Sequence, residues 1–159
     1  MRRRLAVLAM GLSLIGCAVG ADSVVLGHGI SNRFLSHQGC SPDAVCLDAS
    51  YVWVLQAQRT VAGTPITGTI RAISSQHTEA RPEFARSVEL FVLRAIEDRK
   101  LRRLSGADFY IISLSSRDAN GRYCVSVEPD RIGLHLDAAK IAIGDNGAFC
   151  FDAALLGGV

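Results

Sequence analysis

The chain has 159 residues, 49% of them hydrophobic and 20% charged, with a formal net charge of +2. That is the composition of a globular domain, and a balance so near neutral leaves no basic footprint for nucleic acid, so no nucleic-acid partner is expected. No internal repeat, low-complexity tract or second hydrophobic span follows the N-terminal one.

Arg2, Arg3 and Arg4 precede an apolar run over residues 5–15, with Gly16, Cys17, Ala18 and Gly20 as small residues behind it. This pattern predicts an export signal, because the run falls short of the roughly 20 apolar residues that a spanning helix needs. Leu14-Ile15-Gly16-Cys17 resembles the lipobox of bacterial lipoproteins. The resemblance implies a lipoprotein-type signal over residues 1–17 that is cut before Cys17, so that Cys17 becomes the lipidated first residue of the mature chain and attaches it to a membrane. Ala18 stands where an Asp often marks inner-membrane retention, which implies the periplasmic face of the outer membrane. The alternative is an ordinary signal peptide, residues 1–20, cut after Ala18-Val19-Gly20. With three of seventeen basic residues removed and all fifteen acidic ones kept, fourteen against fifteen leaves a net charge of −1.

Export also bears on the cysteines. Cys40, Cys46, Cys124 and Cys150 make an even set for an oxidising compartment, and four cysteines allow three pairings. Cys40 and Cys46 lie close in sequence with Pro42 between them, so the favoured pairs are Cys40 with Cys46 and Cys124 with Cys150. About 140 residues remain after the signal, enough for one core. Residues 18–36 read as an N-terminal tether, since Gly27-His28-Gly29 interrupts their one apolar piece, and residues 37–159 as a single β-rich domain.

Within that domain Tyr51, Trp53, Leu55 and Ala57 alternate with Gln56, Gln58 and Thr60, a period of two that predicts a half-buried strand. Their shared phase favours core packing for Tyr51 and Trp53 over stacking on a sugar. Gly63-Thr64-Pro65 turns the chain into a second strand, residues 66–72, whose Gly68 suggests a bend or bulge. Residues 82–105 admit two structures. Pro82 and Gly106 would bracket one long helix, but the apolar phase of Phe84, Val88, Phe91 and Ala95 runs on into Asp98 and Arg102. A buried strand over residues 87–95 is therefore predicted, then a short helix capped by Asp98 and stopped by Gly106, with Leu101 and Leu104 facing inward.

Residues 109–114 and 123–128 flank Asp118-Ala119-Asn120-Gly121 and read as a hairpin, because Asn-Gly accepts the backbone of a tight two-strand turn. Both faces of residues 109–114 are apolar, so something must cover the second. The C-terminal piece, residues 141–143 and 148–151 around Gly144-Asp145-Asn146-Gly147, is the expected cover, fastened by Cys124 to Cys150.

Three strands, a short helix and two more strands give the element order of the OB fold, a five-stranded barrel with its helix between strands 3 and 4. The predicted fold is thus mostly β, an OB-like barrel with an extra C-terminal hairpin; the alternative is an α+β fold with one helix over residues 82–105. Small exported domains of this shape, netrin-like inhibitors among them, are often binding modules.

No Gly-x-Ser-x-Gly elbow, His-Glu-x-x-His helix, phosphate-binding glycine loop or dinucleotide fingerprint is present, so neither a cofactor nor a metal is expected. His28, His37, Cys40 and Cys46 could be drawn as zinc ligands, but their spacing is not that of a finger and export favours the disulfide. Neither Glu97 with Asp98 nor Asp130 with Asp137 has a sequence reason to act as an acid and base pair, and His135 between Leu134 and Leu136 reads as half-buried. Candidate binding residues are Arg99, Lys100, Arg102 and Arg103, a basic helix face suited to lipid headgroups or polysaccharide phosphate, and His77 in the loop after Ser74 and Ser75. The sequence thus predicts an exported envelope lipoprotein acting as a non-catalytic binding module for a protein or glycan, of inhibitor or immunity type. Two alternatives stand beside it: a periplasmic hydrolase using His77 or a metal near His37, and a structural lipoprotein of an envelope complex.

Overall fold

A computed structural model describes residues 22–37, 49–76 and 82–157. Five strands close a barrel: β1 (Ser23–His37), β2 (Ala49–Ala62), β3 (Gly68–Gln76), β4 (Leu90–Ala95) and β5 (Phe109–Ser115), in the order β1-β2-β3-β5-β4. All neighbours are antiparallel except β3 and β5. Helix α1 (Pro82–Ser87) joins β3 to β4, and α2 (Arg99–Ser105) joins β4 to β5. A second sheet, β6-β8-β7, is built from β6 (Arg122–Val125), β7 (Ile141–Ile143) and β8 (Phe149–Asp152). The chain is therefore mostly β, with an OB-like closed barrel and a separate sheet that contains the C-terminal hairpin.

Alternation sorts the side chains. Val25, Tyr51, Trp53, Leu55, Ala57, Ala72, Phe91 and Leu93 fill the barrel, and Ala85 and Val88 close it from α1 and the residue after it. The opposite faces of β1 and β4, Val24, Leu26, Leu90 and Val92, meet Tyr123, Val125 and Phe151 of the second sheet. Near α2, Leu101 packs against a third cluster of Val52, Ile73, Ile96 and Ala107, and so does Tyr110 of β5. The second face of β5 is thus covered twice, at Tyr110 beside α2 and at Ile112 by the small sheet.

Several expectations are corrected. Residues 23–37 are no tether but the longest strand of the barrel. The ladder between β1 and β2 has four register shifts, and Val24, Val25 and Leu26 are all buried, so neither a clean alternation nor a polar face marks the strand in sequence. With β1 counted, the helix between strands 3 and 4 is α1, and the short helix capped by Asp98 falls between strands 4 and 5. That cap is as predicted: Asp98 Oδ1 accepts from the N–H groups of Lys100 and Leu101, and Gly106 ends α2 at φ 67°. Strand β4 interrupts residues 82–105, which removes the long-helix alternative. Inside α2 the inward pair is Leu101 with Ser105, whereas Leu104 is 73% exposed.

The expected hairpin of β5 with β6 does not form. Strand β5 pairs with β3 on one edge and β4 on the other, so β6 pairs with β8 instead. The Asn120-Gly121 reversal is nevertheless present, with Gly121 at φ 75° and its N–H donating to the Asp118 carbonyl. Two β5 hydroxyls replace the missing ladder: Ser115 Oγ accepts from Cys124 N and Ser113 Oγ from Ser126 N. The predicted Cys124–Cys150 disulfide joins β6 to β8. Gly68, expected inside its strand, is the first residue of β3, at φ 83°. His135 is exposed, its neighbour Leu134 taking the buried phase. Among the described residues no helix is long and apolar enough to cross a membrane.

Candidate functional site

At Leu26 strand β1 makes its last pair with β4, opposite Leu90, and a register shift against β2 follows at once. The backbone stays tied to the helix side of the barrel, because Gly27 N donates to the Glu89 carbonyl at 2.9 Å. Gly27 and Gly29 let β1 come this close: a Cβ at Gly27 would collide with the Gln56 carbonyl, and one at Gly29 with the Ala85 carbonyl of α1. Where the strands splay, a cleft of about 510 Å³ opens, lined by Leu26, Gly27, His28, Gln58, Arg59, Arg86, Glu89, Arg117 and Tyr123.

Four pieces of chain build it. β1 gives the floor with Leu26 and Gly27 and the exposed rim with His28; β2 brings Gln58 and Arg59. The last turn of α1 presents Arg86, and the link into β4 presents Glu89. The chain between β5 and β6 adds Arg117, while Tyr123 comes from β6 itself. That connection is held by Asp118, whose Oδ1 accepts from Asn120 N and Arg122 N and whose Oδ2 accepts from Arg122 Nε, each at 2.9 Å. These bonds, the Arg122 N–H foremost, hold the Asp118 carboxyl below its ordinary pKa.

Glu89, Arg117 and Tyr123 form a closed triangle. The Tyr123 hydroxyl donates to Glu89 Oε2 at 2.8 Å and accepts from Arg117 Nε at 3.1 Å, and Arg117 Nε lies 2.9 Å from Glu89 Oε2. The Arg117 guanidinium also stands over the Tyr123 ring, 5.6 Å from its centre. Burial raises the phenol pKa, and Arg117 is raised above its ordinary value chiefly by its bond to Tyr123. Arg59 spends Nη2 on the carbonyls of Leu156 and Gly157, at 3.0 and 2.7 Å, and among the described residues its Nε and Nη1 hydrogens have no acceptor. Arg86 makes no hydrogen bond or ion pair among the described residues. Three guanidiniums therefore face one carboxylate, and that carboxylate is already engaged.

The predicted site residues lie elsewhere. Arg99, Lys100, Arg102 and Arg103 are exposed on α2, as expected, and Arg102 is tied to Asp108 at 2.5 Å. Arg99, Arg102 and Arg103 border a second, shallow depression with Gly106 and Asp108. OB-type barrels commonly bind on the β2–β3 face between the β1–β2 and β4–β5 connections. Here the β4–β5 connection is α2, and Leu101 sits over Val52 and Ile73 of that face. His77, Cys17, Cys40 and Cys46 lie outside the described residues. His28 borders the cleft, whereas His37 ends β1.

The cleft carries no local motif, because its residues are spread from 26 to 123 along the chain. The one sequence signal was Gly27-His28-Gly29, whose glycines mark a close backbone approach. Comparison with known protein families, with characterised proteins and with solved structures gives no match.

Proposed function

We infer that the chain is an exported, non-catalytic binding module of the bacterial cell envelope, anchored to the outer membrane through Cys17, which holds a protein or glycan partner as an inhibitor or immunity factor would. The observation that carries the binding role is the cleft. Its volume, about 510 Å³, falls in the range of small-ligand sites, with an apolar floor and a few convergent polar groups. Those groups suit holding better than reacting. Guanidiniums stay charged throughout the physiological range and do not shuttle protons. Glu89 and Tyr123, which could exchange one, are bonded to each other and to Arg117.

The anchor is inferred from the lipobox resemblance of Leu14-Ile15-Gly16-Cys17, and the point where the chain enters the barrel sets its reach. Ser23 pairs with Leu93, and Asp22 binds Arg94, two residues further along β4 from Val92 and next to the turn into α2. Only residues 18–21 separate Cys17 from Asp22, so a lipid there would hold the barrel within roughly 20 Å of the bilayer. The basic face of α2 would then lie within reach of lipid headgroups.

Two measurements test this. Intact mass of the chain taken from membranes should show loss of residues 1–16, lipid on Cys17 and closed disulfides; a chain that keeps its leader with Cys124 and Cys150 as thiols overturns the exported role. Crosslinking in envelope extracts should capture a partner with the wild type and lose it with Arg86→Glu, and equal capture by both would remove the cleft as the recognition site.

A further inference from the structure

We propose that the cleft recognises an anionic sugar unit, its ring against the floor of Leu26 and Gly27 and its carboxylate or phosphate on Arg86, with Arg59 and Arg117 as flanking donors. This rests on the cleft being the recognition site, and names what the site takes. Charge comes first. Three guanidiniums and His28 surround a space whose one carboxylate, Glu89, already satisfies Arg117. Among the described residues Arg86 has no hydrogen-bond or ion-pair partner, and Arg59 bonds only through Nη2, to backbone carbonyls. Carbonyls leave a guanidinium its full charge, so an incoming oxyanion meets uncompensated cations on two sides, and charge-assisted bonds of this kind are the strong ones.

Shape comes second. A protein partner of ordinary affinity covers about 800 Å² on each side with a broad, well-packed surface. A concavity of about 510 Å³ suits instead a compact ligand of one or two rings. The polar rim adds Gln58 and His28, side chains that can donate to or accept from sugar hydroxyls around a charged centre. The Glu89–Arg117–Tyr123 triangle has a positioning role: it fixes one wall by engaging the Arg117 Nε and leaving the two terminal nitrogens of the guanidinium for a ligand.

The test titrates the full exported chain with glucuronic acid, glucose 1-phosphate and glucose, followed by calorimetry and by chemical-shift changes. Binding of either acid, at least tenfold tighter than glucose and weakened by salt, is the expected result, and the acid that binds identifies the oxyanion. Arg86→Gln should weaken that binding about tenfold or more with a nearly unchanged thermal midpoint, since Arg86 makes no hydrogen bond or ion pair among the described residues. Equal binding of glucose, or wild-type affinity in Arg86→Gln, overturns the proposal. So does a peptide with a free C-terminal carboxylate that binds where neither sugar acid does. A partner captured from envelope extracts in an Arg86-dependent way, yet not displaced by any sugar acid, would sink the sugar anion while leaving the binding role intact.

Discussion

Trp53 is the single tryptophan of the chain and is fully buried in the barrel, with its indole N–H donating to Ser74 Oγ at 2.7 Å. Buried donors are costly to leave unpaired, so Ser74→Ala should destabilise the fold by about 1–3 kcal/mol, read from urea unfolding with Trp53 fluorescence as the reporter. The opposite case is Ser50, whose buried hydroxyl has no partner among the described residues; Ser50→Ala should be neutral or stabilising by up to about 1 kcal/mol in the same measurement. A third residue sets a pH dependence. The Asp118 carboxyl is held below its ordinary value by the N–H groups of Arg122 and Asn120, with the Arg122 guanidinium beside it. A group depressed in the folded state contributes stability that is present above its unfolded pKa and fades as pH falls through the folded one. Thermal midpoints of wild type and Asp118→Asn should therefore differ at neutral pH and draw together as pH falls below about 4; a constant gap would show that Asp118 does not titrate the turn.

At the scale of elements, β1 and α1 are locked together at one point. Gly29 is buried, and a methyl there would strike the Ala85 carbonyl of α1, the helix whose Ala85 side chain helps close the barrel. Overpacking of this kind usually costs 1–3 kcal/mol, so Gly29→Ala should destabilise by about that much. Gly121→Ala provides the contrast: nothing stands within 4 Å of its added methyl, and only the positive φ of 75° opposes it, which should cost about 1 kcal/mol. Urea midpoints of the two variants check both, and a Gly29→Ala protein as stable as wild type would mean that α1 can shift away. The same two glycines show what was legible in the sequence. Gly121 is legible from its neighbours, since a turn depends on its own four residues. Gly29 reads in the sequence as a break in a tether, because its role depends on Ala85, far along the chain. Strand β2 is legible from the alternation of buried Tyr51, Trp53, Leu55 and Ala57 with the less buried Gln56, Gln58 and Thr60, and α2 from its Asp98 and Gly106 caps. Strand β1 gave no such sign, being buried on both faces at one end and bulged along its length.

At the scale of the molecule, the second sheet is an element that cannot stand alone. Its strands hold four, three and four residues, too few for independent stability, yet they cover the outer apolar side of β1 and β4 and carry Tyr123 into the cleft. Three things keep it in place: the apolar contacts around Val24, Leu26, Leu90 and Val92, the Ser113 and Ser115 hydroxyls, and the Cys124–Cys150 bond across β6 and β8. The bridge spans a sequence separation of 26, for which the chain-entropy estimate gives about 3.5 kcal/mol. It lies wholly within the small sheet, so reduction should weaken that sheet first and leave the barrel closed by its own ladders. In reduced protein under rising urea, a hydrophobic dye should bind as the outer face of β1 and β4 is uncovered, at a lower concentration than the Trp53 transition inside the barrel. Oxidised protein should show both changes together. Coincident midpoints after reduction would mean that the barrel fails with its cover. The cleft provides an independent readout, since losing the sheet releases Tyr123 from Glu89 and Arg117 and dissolves one wall; ligand binding should therefore vanish over the dye transition, before the tryptophan signal moves.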